Sequence, residues 1–363
     1  MRVRNVLVTG GAGFIGSNFV RHLLANHAAI RITNLDLLTY AGSPMNLNDL
    51  SDSSRHTLIQ GDIADRELVE RLLREHDVDT VVNFAAETHV DRSIQDPASF
   101  IHTNVLGTLA LLEAVRTVWL VEGGRTAEDA RFHHASTDEV YGSLEAREPP
   151  FLEGAAYRPS SPYAASKAAA DHLVWAYHRT YDLPITITNC TNNYGPCQYP
   201  EKFIPLMILN VLEGRPLPIY GDGKQRRDWL HVEDHARAIA MVLERGTAGR
   251  LYHVSGRVDR TNLQVVEALC DCLERRLPAA VHLPLQERIV SVTDRPGHDR
   301  RYGLDSRRIE RELGWSPRMD FHRGLEETVA WYVEHPSWVA HIRARPDYQA
   351  WLDRNYAQRG ICA

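Results

Sequence analysis

Residues Asn5-Val6-Leu7-Val8-Thr9 form a short apolar run that leads straight into Gly10-Gly11-Ala12-Gly13-Phe14-Ile15-Gly16 and then an amphipathic segment from Ser17 to Asn26. That order of strand, glycine turn and helix constrains the fold more than any other feature of the chain. Glycines in the turn let the backbone approach a pyrophosphate, whose charge then rests on the unpaired N–H groups and positive dipole end of the helix. Gly10, Gly13, Phe14, Ile15 and Gly16 are therefore candidate cofactor-binding residues. Two glycine spacings are present, Gly11-Gly13-Gly16 and Gly10-Gly13-Gly16. A glycine triplet by itself is a weak signal, so the downstream units have to support it.

The next strand, Ile30 to Leu35, ends in Asp36, twenty positions after Gly16. A carboxylate at that distance accepts hydrogen bonds from an adenosine ribose and repels a 2'-phosphate, which favours NAD over NADP. A third unit runs through Thr57-Leu58-Ile59-Gln60 to Gly61-Asp62-Ile63, placing Asp62 and Ile63 beside the adenine. The strand Thr80 to Phe84 then meets Ala85-Ala86, small enough for a cofactor to lie close to the backbone, and Glu87 beyond them begins the polar rim of a substrate cleft. A helix from Phe100 to Val115 carries an apolar face broader than one core contact needs, so part of it is expected to pack on a partner subunit. Repeated strand–helix units predict an α/β fold with a doubly wound parallel sheet.

After the apolar run Phe132 to Ala135 comes Ser136-Thr137-Asp138-Glu139-Val140-Tyr141-Gly142, a hydroxyl and two adjacent carboxylates at a strand's carboxyl end, where open α/β sheets bind ligands. Ser161-Pro162-Tyr163-Ala164-Ala165-Ser166-Lys167 opens a helix with proline in its first turn. Tyr163 and Lys167 are four apart and share a face. An ammonium and a cationic nicotinamide beside the phenol would lower its pKa, making Tyr163 a usable base for a sugar hydroxyl. Lysine occurs only at 167, 202 and 224 in a chain that otherwise uses arginine. A compact donor that reaches a ribose hydroxyl and tunes a tyrosine is a task a guanidinium does poorly.

Past the strand Ile185 to Cys190 the character changes at Thr191-Asn192-Asn193-Tyr194-Gly195-Pro196. We expect a Rossmann domain of residues 1–190 plus about 230–257, and a smaller α/β substrate domain of 191–229 plus about 258–363. Lys202, at a helix start, suits a diphosphate, and the charged loop Asp294 to Tyr302 is of a kind that holds anions. With 363 residues, 44% apolar, net charge −6 and no basic stripe, the chain reads as a soluble enzyme with no nucleic-acid partner. No apolar run approaches about 18 residues and no cleavable leader stands out, so a cytoplasmic protein off the membrane is expected. The five cysteines have no CxxC spacing and no metal site is readable.

Taken in order, GGAGFIGSNFVR, FAAETHVDRSI, HHASTDEVYG, SPYAASK, NNYGP, EKFIPL, RDWLHVEDHARA and DRPGHDRRY closely resemble the dTDP-glucose 4,6-dehydratases of the extended short-chain dehydrogenase superfamily, over nearly the whole chain. The Gly10-Gly13-Gly16 spacing is the one that superfamily uses. The resemblance implies NAD as cofactor, dTDP-glucose as substrate and a homodimer. It implies Thr137 on the sugar O4, Tyr163 as base tuned by Lys167, Asp138 as acid and Glu139 as base for elimination of the C6 hydroxyl. It also implies nucleotide-sugar contacts from Asn192, Lys202, Pro218, Tyr220, Arg227, Asn262, Arg295, His298 and Tyr356. One departure is Leu37, where the family usually has lysine. Three alternatives stay open: a nucleotide-sugar 4-epimerase, which needs no elimination pair, a UDP-sugar 4,6-dehydratase, and a silent NAD-binding scaffold.

Overall fold

The computed structural model describes residues 3–50, 53–277 and 284–357, with 356 and 357 described by backbone alone. The side chain of Tyr356 and the whole of Cys362 lie outside the described residues. Seven strands make one sheet: β1 (Asn5–Thr9), β2 (Arg31–Asp36), β3 (His56–Gln60), β4 (Thr80–Asn83), β5 (Arg131–Thr137), β6 (Ile185–Cys190) and, later in the chain, β10 (Arg250–Val254). Their order is β10-β6-β5-β4-β1-β2-β3 and every pairing is parallel. The order reverses between β1 and β4, so the crevice at the carboxyl ends of these two strands is the expected ligand site.

Alternation along β1 builds both faces at once. Val6 and Val8 point to one side, against Phe19, Val20 and Leu23 of the helix Phe14–Asn26 and Ala236, Ile239 and Leu243 of the helix Val232–Arg245. Leu7 points to the other, into a cluster with Leu72, Leu111, Leu112, Val115, Trp119 and Val174. A strand buried on both faces favours apolar residues at successive positions, which is why Val6, Leu7 and Val8 follow one another without polar alternation.

The expected helix Phe100 to Val115 is longer at both ends, spanning Pro97–Glu122. Asp96 caps its start by accepting from the Ser99 N–H at 3.5 Å, and Trp119 extends the buried face by donating to the Val78 carbonyl at 2.9 Å. By length and composition this helix could cross a bilayer. Phe100, Leu111, Leu112, Ala114, Val115 and Trp119 are nonetheless buried in the fold, while Ile101, Leu106 and Val121 remain exposed.

Beyond β6 the chain forms β7 (Asn192–Tyr194), β8 (Leu217–Tyr220), β9 (Arg226–His231), β11 (Asp259–Thr261) and β12 (Ile289–Val292), arranged as a three-stranded sheet β11-β9-β7 and a parallel pair β12-β8. A separate core joins Ile204, Met207 and Ile208 to Val265, Leu269, Leu325, Val329, Trp338 and Trp351. Thr261 and Gln264 close a capping box at the start of the helix Asn262–Arg276, with bonds of 3.1 and 2.9 Å.

Candidate active site

A cavity of about 310 Å³ lies along the carboxyl ends of β1, β2, β4 and β5. Gly10, Gly13, Phe14, Ile15, Gly16, Asp36, Asp62, Ile63, Ala85 and Ala86 all line it, as do Tyr163 and Lys167. Gly10 has φ +70°, and a Cβ there would stand 2.6 Å from the Ala85 nitrogen; one at Gly16 would stand 2.3 Å from the Gly10 carbonyl oxygen. Only glycine keeps this turn tight. Asp36 is held by the N–H groups of Ala12 and Leu38, at 2.9 and 2.8 Å, which orients its carboxylate at the β2 end. Burial raises its pKa against those two bonds. Asp62 accepts from the Ala64 N–H at 2.8 Å. A glycine cradle, an oriented carboxylate and a small-residue wall fit a dinucleotide.

Strand β5 runs two residues beyond the expected Ala135, because Ser136 and Thr137 pair with Asn189 and Cys190 of β6. Thr137 therefore sits on the strand, and a single helical turn, Asp138–Tyr141, follows it. The Thr137 hydroxyl accepts from the Glu139 N–H at 3.3 Å and donates to Asp138 Oδ1 at 3.3 Å. Asp138 Oδ2 and Glu139 Oε2 are buried without a hydrogen-bond partner, both at the cavity. Burial and then the Glu139 charge push Asp138 well above the usual carboxylate range. Burial also raises Glu139, but Arg295, Arg227 and Lys202 pull it back. Two adjacent carboxyls in unlike fields are suited to be one acid and one base.

Ser161 caps the helix Pro162–Tyr181 by accepting from the Ala164 N–H at 3.1 Å, and this helix presents both Tyr163 and Lys167 to the cavity. Lys167 Nζ donates to the Ala135 carbonyl at 2.8 Å and lies 3.3 Å from His134 Nε2. The lowering of the Tyr163 phenol expected from Lys167 is not what the packed site gives: burial first, then Glu139, raise that phenol well above its ordinary value. Sequence reasoning missed what stands behind Lys167. Asp171, fully buried, accepts from Ser136 and Tyr157 at 2.8 and 2.9 Å and lies 3.5 Å from His134 Nε2. Its position four residues after Lys167 on the same helix was the available signal.

A second cavity of about 200 Å³ shares Glu139, Asn192 and Lys202 with the first and adds Pro218, Tyr220, Arg227, Asn262, Arg295 and His298. Glu87 lines the first cavity only. Tyr220 donates to Asp91 at 2.9 Å and accepts from Asn355 at 3.1 Å. Arg227 stacks 4.2 Å over Tyr302, the last residue of the charged loop and part of the cavity wall, and Lys202 donates to the Thr88 carbonyl at 2.8 Å. Arg92 was also missed as a packing element: it lies between the Tyr40 and Trp351 rings, at 4.0 and 4.4 Å, and pairs with buried Glu201 at 2.9 Å.

Residues 7–328 match the family described as GDP-mannose 4,6 dehydratase. The chain is 50% identical over 362 residues to the dTDP-glucose 4,6-dehydratase of Salmonella typhimurium, covering 98% of this chain and 99% of that one. It is 54% identical over 333 residues to that of Xanthomonas campestris pv. campestris, covering 92% and 94%. The chain belongs to the dTDP-glucose 4,6-dehydratase family. Within it, the dTDP-glucose 4,6-dehydratase of Streptomyces venezuelae, crystallised with NAD bound, is 47% identical and superposes with a TM-score of 0.84 over 92% of this chain and 98% of its own. The parallel sheet of this dTDP-glucose 4,6-dehydratase family member is thus the extended dinucleotide-binding fold of its relatives.

Proposed function

We propose that this chain is a dTDP-glucose 4,6-dehydratase, a hydro-lyase that converts dTDP-glucose to dTDP-4-keto-6-deoxyglucose and water. One observation carries the choice among sugar-nucleotide enzymes: the buried carboxyls of Asp138 and Glu139 at the end of β5, each with one oxygen unpaired, set in unequal electrostatic surroundings. An epimerase has no use for that pair. NAD supplies a reversible hydride acceptor when bound. Gly10, Gly13, Phe14, Ile15, Gly16, Asp36, Asp62, Ile63, Ala85 and Ala86 would hold it, with Tyr163 and Lys167 at its nicotinamide ribose.

Tyr163 takes the C4 hydroxyl proton, with Thr137 holding O4. Burial keeps the phenol protonated in the free chain, so its base form depends on positive charge from Lys167 and the bound oxidised cofactor. The resulting 4-ketone acidifies C5–H. Glu139, whose rise Arg295, Arg227 and Lys202 oppose, acts as the base that removes that proton, and Asp138, raised by burial and then by Glu139, protonates the departing C6 hydroxyl. Glu139 then returns its proton to C5 as C6 is reduced. Asn192, Lys202, Pro218, Tyr220, Arg227, Asn262, Arg295 and His298, with Glu87 at the rim, hold the nucleotide sugar in this reading.

The same reading divides the chain into an NAD-binding unit, 1–190 with about 230–257, and a nucleotide-sugar unit, 191–229 with about 258–363; a hydrophobic core on each face of the large sheet and a third core drawn from the second unit support it. Exposed Ile101, Leu106, Val121 and Tyr181 on the Pro97–Glu122 and Pro162–Tyr181 helices support a homodimer built on these helices. We place the dimer in the cytoplasm, off membranes and nucleic acid, in keeping with its net charge of −6. Side-by-side turnover of dTDP-glucose and UDP-glucose tests the function. Loss of the C6 oxygen from dTDP-glucose is expected; inversion at C4 without that loss sinks the proposal.

A further inference from the structure

The proposed reaction leaves one proton on the wrong group. Tyr163 starts a turnover as phenolate and ends it as phenol, because it has taken the C4 hydroxyl proton. Asp138 starts protonated and ends ionised, because its proton has left in water. Glu139 ends as it began. One proton must therefore pass from Tyr163 to Asp138 before the next turnover, and both groups are buried, Asp138 with only 3% of its surface exposed.

Thr137 stands between them. Its hydroxyl donates to Asp138 Oδ1 at 3.3 Å and faces the same cavity as the Tyr163 phenol, which it holds down against the rise due to burial. The residue is fixed in place: its carbonyl accepts from Asn189 Nδ2 at 2.8 Å, and its hydroxyl oxygen caps the following turn. Tyr163, Thr137 and Asp138 line one cavity.

Resting on the dehydratase reading, we propose that Thr137 is the proton relay that resets the site between turnovers. The Tyr163 O–H bond breaks as its proton joins Thr137 Oγ1, while the hydroxyl's own proton passes to Asp138 Oδ1. Phenol plus carboxylate become phenolate plus carboxylic acid; each electron pair stays on its oxygen and no co-reactant is consumed. Once O4 has become a carbonyl it no longer offers a proton to the threonine, and the hydroxyl can serve Asp138. Positive charge from Lys167 and the bound oxidised cofactor, which would stabilise the phenolate, favours the transfer.

The test compares the first turnover, at enzyme excess, with steady-state turnover over a range of imidazole buffer concentrations at constant pH. Wild type and Thr137→Ser, which keeps a hydroxyl, are expected to respond to neither. In Thr137→Val the first turnover is expected to exceed later ones by about tenfold or more, with imidazole restoring only the later ones. Thr137→Ala replaces it if the valine variant does not fold. Equal loss in both regimes with no buffer response overturns the relay, as does a linear buffer dependence of the wild type, which needs no variant. A wild type that yields no 4-keto-6-deoxy product defeats the dehydratase reading instead.

Discussion

Asp138 and Glu139 are consecutive residues whose carboxyls, both raised by burial, sit in unequal fields: Glu139 is set among Arg295, Arg227 and Lys202, whereas the largest charge acting on Asp138 is that of Glu139 itself. Separate duties should therefore separate by mutation. Glu139→Gln is expected to abolish exchange of the C5 hydrogen with deuterated solvent. Asp138→Asn should keep that exchange and stop loss of the C6 oxygen, each variant losing about 10²- to 10⁴-fold in turnover. Mass spectrometry of the recovered sugar nucleotide reads both. C5 exchange that survives in Glu139→Gln would contradict the assignment.

The raised pKa of Asp138 also has a consequence for stability. A carboxyl whose folded pKa lies above its unfolded value, near 3.8, binds its proton more tightly in the native state. It costs nothing below that unfolded value, and its penalty grows as pH rises toward the folded pKa. Asp138→Asn is therefore expected to melt higher than wild type at neutral pH, with the gap closing as pH falls toward 4. Calorimetry across that range decides; a gap that widens in acid contradicts the shift.

Local spacing made one part of this molecule legible and left another hidden. The glycine turn, Asp36 and the Tyr163/Lys167 pair could be read because each depends on short-range backbone geometry, and the structure gathers them on one cavity. The parallel sheet followed from strand–helix repetition. Hidden were contacts between residues distant in sequence: Tyr40, Arg92 and Trp351 come from three segments and meet only in the fold. The environment of Tyr163 was hidden for another reason. Spacing placed Lys167 on its face, but burial and Glu139, which set the phenol's direction of shift, depend on the packed site.

Leu37 lines the cavity and is 44% exposed, beside an Asp36 already held by Ala12 and Leu38. The adenosine end thus has a fixed anion and no adjacent cation from this position. Leu37→Arg alone is expected to leave NAD preferred, since Asp36 still repels a 2'-phosphate. Asp36→Ser with Leu37→Arg should shift the ratio of dissociation constants toward NADP by about ten- to hundredfold. Isothermal titration with each cofactor measures this, and an equal shift from Leu37→Arg alone would show that Asp36 does not discriminate.

Arg92 couples three parts of the chain by stacking between Tyr40 and Trp351 while bonding Glu201, which is only 6% exposed. Burial raises the Glu201 pKa, and Arg92, then Lys202, oppose that rise. Removing the guanidinium leaves a buried carboxylate short of its main partner, so Arg92→Ala should cost about 3–5 kcal/mol at neutral pH. The sign with pH follows from the raised pKa. As pH falls through it, Glu201 becomes neutral, and the part of the loss due to charge disappears, leaving the part due to stacking. Arg92→Ala with Glu201→Gln is accordingly expected to recover stability at neutral pH but not in acid, as read by urea denaturation at both. Equal stability of the single and double variants at neutral pH would assign the whole effect of Arg92 to its packing between the two rings.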